Sequence, residues 1–166
     1  VGLVVAGWLV IRSVEQTELD RMGEMLDIRS GLAAITLRPL LDQAGQTGPG
    51  PQLHETIREV SQQAHLRITV ILHDGTVLSD SAVSAEGLPQ VDNHLSRPEV
   101  AQALASGRGM DIRASQTTGE RTYYVARRLS GTAQGHPGVP VIRLGLPLTS
   151  IDERVRHIRQ DLLTAF

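Results

Sequence analysis

The chain has 166 residues, 40% of them apolar, and a formal net charge of -2. That is long enough for one domain with its own core and too apolar for a disordered chain, and the charge gives no reason to expect nucleic acid as a partner. Cysteine is absent, which excludes disulfides and thiolate metal sites, and every basic residue is arginine, a compositional bias rather than a set of sites.

The opening run VGLVVAGWLVI, residues 1–11, carries no charge. It is shorter than the roughly 20 residues a membrane crossing needs, and it reads as the outer half of a transmembrane helix with Trp8 as an interfacial aromatic. The closing DLLTAF turns apolar again, so 155–166 reads as a helix leading to a second membrane segment, with 12–154 as the domain between.

From Arg12 to Gln43 the spacing of Leu19, Met22, Leu26, Ala33, Leu37 and Leu40 predicts one long helix, interrupted at Arg29, with Pro39 placed to kink or end it. GQTGPGPQ, from Gly45, reads as a loop. Leu53, Ile57, Val60 and Ala64 form one apolar stripe, and Pro51 sits near the first turn of a second helix. The period then changes: LRITVIL puts Leu66, Ile68, Val70 and Leu72 on one face, and Asp74-Gly75 followed by TVLSD predicts a hairpin with a type I′ turn. After a loop over 81–92 comes NHLSRPEVAQALASGRG, expected to be a short helix with Ser96 and Glu99 as a capping box, Pro98 in the first turn and Gly107 as the stop. Two strands with a turn near Thr118-Gly119 follow, then a loop over 131–138 and a fifth strand, VPVIRLGL, with Pro140 near its start. The last helix carries a capping-box spacing at Ser150 and Glu153 and a stripe of Ile151, Val155, Ile158 and Leu162. The element order predicts an α+β fold: a mainly antiparallel sheet of five strands covered on one face by a long N-terminal helix, a second helix and a C-terminal helix.

Chemistry is sparse. The histidines show no metal-ligand pairing, Asp74, Asp80 and Asp92 read as a turn residue and two solvated loop acids, and no catalytic triad, phosphate loop or cofactor motif is present, so no catalytic residue, metal or cofactor is expected. The glycines at 107 and 109 lack the rest of a dinucleotide motif. His94 and Arg97 have no structural duty in the short helix and face either a pocket or water. Arg113 and Ser115 on one strand, with Tyr123 and Tyr124 on the next, could offer a guanidinium fork and hydroxyls to a carboxylate or phosphate ligand, or simply meet solvent and the core edge.

Four motifs in order carry a resemblance. DGTVLSDS from Asp74, the stretch with Asn93, His94, Arg97, Pro98, Glu99 and Val100, the strand motif with Arg113, Ser115, Thr117, Gly119, Tyr123, Tyr124, Val125 and Ala126, and GVPVIRLGLPLTSID resemble the extracytoplasmic sensor region of phosphate-regulon-type sensor histidine kinases, over about Leu66 to Arg154. The resemblance implies a PAS-like, single-Cache fold on the periplasmic side of the bacterial inner membrane, tethered by flanking helices. It further implies a homodimer and a kinase located in another part of the protein. It transfers no binding residue: the partner could be a small anion or a membrane protein. The expected function is signal input relayed through the terminal helices. A chemoreceptor, a cyclic-dinucleotide enzyme or a periplasmic interaction module would use the same sensor.

Overall fold

The computed structural model describes residues 2–47, 50–116, 118–129 and 141–164. The loop expected over 131–138, Pro140, Thr117 and the side chains of Arg154, Ile158 and Leu162 lie outside the described residues. Helix α1 (Gly2–Thr47) takes in the opening apolar run, and α2 (Pro51–Ala64) follows. Then come β1 (Arg67–Ile71), β2 (Val77–Asp80), a 3₁₀ helix (Ala85–Gln90), α3 (Pro98–Ser106), β3 (Arg108–Ala114), β4 (Arg121–Arg128), β5 (Val141–Pro147) and α4 (Thr149–Thr164). The sheet order is β2-β1-β5-β4-β3, with every neighbouring pair antiparallel. Two hairpins are thus separated by the last strand, which slots between them. Among the described residues no helix is long and apolar enough to cross a membrane.

Alternation along the strands gives the sheet two unlike faces. Ile68, Val70, Val125, Ile142 and Leu144 point toward α1 and α2, where they meet Leu26, Leu37 and Ile57 in one cluster. Each such side chain contributes about 1.5–3 kcal/mol when fully buried, so this face dominates stability. The helix also persists through Pro39. The carbonyl that loses its hydrogen bond there belongs to Ile35, which is 73% exposed, so water can replace the missing donor. Arg29, which breaks the apolar spacing, donates to the Ala64 carbonyl at 3.2 Å and ties α1 to the end of α2.

Several local expectations need correction. The first hairpin turns at Asp74-Gly75, but only Gly75 has a positive φ, +86°. Gly75 N–H donates to the Leu72 carbonyl (2.9 Å) and Leu72 N–H to Thr76 (2.8 Å), a type I turn closed by a left-handed glycine rather than type I′. Ser96 caps nothing: α3 starts from Arg97 without a side-chain cap, because Glu99 is drawn into the core instead. Its stop is as expected, with Gly107 left-handed. Ser150 lies inside the first turn of α4, which begins at Thr149, so it does not cap that helix either. The stretch read as loop over 81–92 contains the 3₁₀ helix.

Candidate functional site

The other face of the sheet is polar at its centre. Cross-strand register aligns Asp80 with Thr69, Thr69 with Arg143, Arg143 with Ala126 and Arg67 with Gly145. Tyr124 also pairs with Gly145, whose missing side chain leaves room for the ring. α3 packs on this face, and the end of the 3₁₀ helix with the segment Val91–Arg97 leading into α3 bounds a cavity of about 270 Å³. Its walls include Arg67, Arg97, Arg113 and Arg143, with His94, Ser115, Gln116, Tyr124 and Asp92.

Two carboxylates with no accessible surface hold these arginines. Asp80 accepts from Arg67 Nε at 2.9 Å and Nη2 at 3.0 Å, and from the Thr69 hydroxyl at 2.9 Å. Glu99 Oε1 accepts from Arg113 Nη2 at 2.9 Å and Arg143 Nη1 at 3.3 Å. Arg143 also donates to Thr69 Oγ1 at 3.1 Å and lies 4.0 Å from Asp80. Burial lowers the Arg143 pKa, opposed by the charges of Glu99 and Asp80. The Arg113 and Arg143 guanidinium carbons stand 4.3 and 5.0 Å from the centre of the Tyr124 ring, within cation–π range.

Toward the mouth the pairing thins. Arg97 donates to the Gln116 side-chain carbonyl, and its Nε is buried without a hydrogen-bond partner among the described residues, whereas Arg113 Nε lies 3.3 Å from Asp111 Oδ2. His94 Nδ1 lies 2.7 Å from the Asp92 carbonyl. Burial lowers its pKa to about 4, and Arg143 and Arg97 add to the effect, so at neutral pH the ring is uncharged and this nitrogen donates. The wall therefore holds four guanidinium groups, three of them beside a carboxylate, while Oε2 of Glu99 is buried without a hydrogen-bond partner among the described residues.

Of the six residues singled out in the sequence, His94, Arg97, Arg113, Ser115 and Tyr124 line this cavity. Tyr123 does not. Strand alternation turns it to the helix-covered face, where its hydroxyl lies against Gly23 of α1 and 3.7 Å from Met110 Sδ. Asp80 is likewise no solvated loop acid but the buried partner of Arg67. Sequence reasoning passed over Arg67, Glu99, Gln116 and Arg143. Arg143 carried a signal: a lone charge inside an apolar strand run needs a buried partner.

A second constellation lies where the β3–β4 turn meets the terminal helices. Arg121 Nη1 donates to Glu15 of α1 at 2.8 Å and to Asp152 of α4 at 3.0 Å. The same turn begins with Ser115 and Gln116 in the cavity wall, and Ser115 N–H donates to the Glu120 carbonyl at 2.8 Å. Ser115 in the cavity wall and Arg121 on the terminal helices are thus six residues apart in the chain.

No protein-family model matches the chain, and no curated protein does. Solved structures do. The sensor domain of the histidine kinase DctB from V. cholerae superposes with a TM-score of 0.61 at 16% identity, over 87% of this chain and 58% of that one. The E. coli DcuS sensor domain gives 0.58 at 17% identity, over 80% of this chain and 96% of that one. The ligand-binding domain of the Campylobacter jejuni chemoreceptor Tlp3, in complex with 4-methylisoleucine, gives 0.62 at 10% identity, over 85% of this chain and 57% of that one. The chain thus spans little more than half the length of the DctB and Tlp3 domains. The fold is the Cache/PAS-like α+β arrangement shared with the sensor domains of DctB and DcuS and the ligand-binding domain of Tlp3.

Proposed function

We propose that the chain is the signal-input domain of a membrane-bound sensor histidine kinase, placed outside the cytoplasm of a bacterial cell, and that its cavity takes a small anion. The cavity wall is the observation that carries the ligand class: four arginines converge on it, three of them ion-paired with Asp80, Glu99 and Asp111, while Nε of Arg97 is buried without a hydrogen-bond partner among the described residues. A buried donor of that kind favours a ligand that brings oxygen acceptors and negative charge. The fold shared with DctB and DcuS supports signal input rather than catalysis, and the motif order from Asp74 to Ala126 supports a phosphate-regulon-type parent protein. The exposed Val5, Trp8, Leu9 and Val10 at the start of α1 support membrane attachment at that end, and a second copy of the chain is the expected partner.

In this reading a ligand that draws in Arg97 displaces Gln116, shifts the β3–β4 turn and alters the hold of Arg121 on α1 and α4. The chemoreceptor reading draws on Tlp3, which has the same fold, and it predicts the same ligand chemistry with a different output. A thermal-shift screen with inorganic phosphate, acetate and succinate, against glycerol and putrescine, tests the site. An anion at 100 times its dissociation constant adds about 2.7 kcal/mol, and Arg97→Gln removes the gain. Equal responses to all five compounds, or none, overturn the anion site and favour a protein partner. Anion-dependent autophosphorylation of the whole protein would separate a kinase from a chemoreceptor.

A further inference from the structure

The two ring nitrogens of His94 meet different surroundings. The backbone fixes the residue: its N–H donates to the Gly75 carbonyl at 2.8 Å, and its carbonyl accepts from the Arg97 N–H at 3.1 Å. Ring Nδ1 faces the Asp92 carbonyl, which can only accept, so in the neutral ring the proton sits on Nδ1 and Nε2 holds a bare lone pair. Nε2 has no hydrogen-bond partner among the described residues, and the ring is part of the cavity wall. A lone pair at that atom repels the oxygen of an anion, whereas an N–H there donates to it. Among the described residues His94 is the one histidine in this wall, and imidazole is the side chain that changes charge near neutral pH.

We propose that the cavity takes its anion together with one proton, gained by His94 Nε2 as the anion arrives, so that the domain reads an anion and acidity jointly. The proposal deepens the small-anion reading of this cavity and rests on it. The charged groups around the ring come from every neighbouring element. Arg97 at the start of α3, Arg143 of β5 and Asp80 of β2 act on it directly. Arg67 of β1 and Arg113 of β3 line the same wall, Glu99 of α3 pairs with Arg113 and Arg143, and Asp92 lies on the histidine's own segment. Burial first, then Arg143 and Arg97, hold the ring neutral, against the Asp92 carbonyl and Asp80. An anion set among the arginines cancels the charge that opposes the imidazolium and gives Nε2–H an acceptor, so both effects raise the affinity of His94 for a proton. The proton passes from solvent to the Nε2 lone pair, and a singly charged anion therefore enters with no net change in charge. Linkage is reciprocal: what the anion does for protonation, the proton does for anion affinity, so binding tightens as pH falls.

Calorimetric titration of the native chain with acetate and with sulfate tests this, because neither probe changes its own charge between about pH 8 and about pH 6. The affinity for a probe that binds should rise by up to about tenfold per pH unit on going down that range, one proton per anion. His94→Gln, whose amide donates without titrating, should bind with an affinity that pH does not change. In the native chain the His94 ring, followed by NMR, should titrate at higher pH when the anion is bound, and this measurement decides the matter if the variant does not fold. A native affinity equal at both ends of the range with an unmoved ring titration, or a slope of the same size in His94→Gln, overturns the proton link and leaves the anion site standing. Silence from both anions at every pH overturns the anion site and the proton link with it.

Discussion

Arg143 and Arg97 line the same cavity and have opposite duties. Arg143 is 3% exposed and offsets the buried Glu99 and Asp80. Replacing it with methionine removes one of the two cations beside Glu99 and leaves Asp80 to Arg67 and Thr69, and urea denaturation should show a loss of about 1–3 kcal/mol. Among the described residues the Arg97 side chain has only the neutral Gln116 as a hydrogen-bond partner, so Arg97→Gln should leave stability within about 1 kcal/mol while abolishing the anion response. His94 links the site to pH. Its folded-state pKa of about 4 lies below the ordinary 6.5, so only the unfolded chain takes up a proton between those values. The stability contribution is whole above pH 6.5 and is lost as pH falls toward 4, by about 3 kcal/mol. Comparing denaturation of the native chain and His94→Gln across that window should show a flatter profile for the variant; parallel profiles would mean the ring charges freely in the fold.

At the scale of elements, α3 decides whether the site exists. Gly109 at the start of β3 lies directly beneath the Glu99 carbonyl, and a Cβ there would collide with it. That close approach brings the first turn of α3 down onto the sheet and sends the Glu99 side chain under Arg113 and Arg143. Gly109→Ala should therefore cost about 1–3 kcal/mol by overpacking and loosen the cluster, visible as faster amide exchange in α3. The helix itself was readable from Pro98 and Gly107. The destination of Glu99 was not, since a Ser-x-x-Glu spacing serves a capping box as well as a buried ion pair, and only the neighbouring strands separate the two. The hairpin strands were legible for a different reason: alternation survives in any context, so the sequence already paired Arg113 with Ser115 and set Tyr123 apart from Tyr124. Which of the two tyrosines meets the cavity depends on which face α1 covers, and no local pattern contains that.

Across the whole molecule the cavity and the two terminal helices meet through one turn. Arg121 holds Glu15 and Asp152, and its pKa is raised despite burial because both carboxylates favour the charged form. Arg121→Gln should keep the fold, since the group is partly exposed, and uncouple the helices from the cavity. Spin labels at Asp20→Cys and Glu153→Cys would report this: the α1–α4 distance should shift on addition of the stabilising anion in the native background and stay constant in the Arg121→Gln background. A shift of equal size in both would remove Arg121 from the relay.

The amino-acid sequence by itself determined the elements, their order and the α+β class, because hydrophobic period, turn chemistry and helix stops act over a few residues and do not depend on distant partners. It also located five of the cavity residues, from alternation and from side chains left without a local duty. Only the tertiary structure decided the rest. It inserted β5 between the two hairpins, which puts Arg143 beside Thr69 and within 5.0 Å of the Tyr124 ring, its diagonal neighbour. It turned Asp80 from a loop acid, and Glu99 from a capping residue, into buried counter-charges, and left Ile28, Leu32 and Ile35 uncovered. The physical reason is common to all three. Burial of charge, and exposure of apolar surface, are set by what packs above a residue, and those neighbours arrive from distant positions in the chain, as Thr69 does to Arg143, 74 positions away.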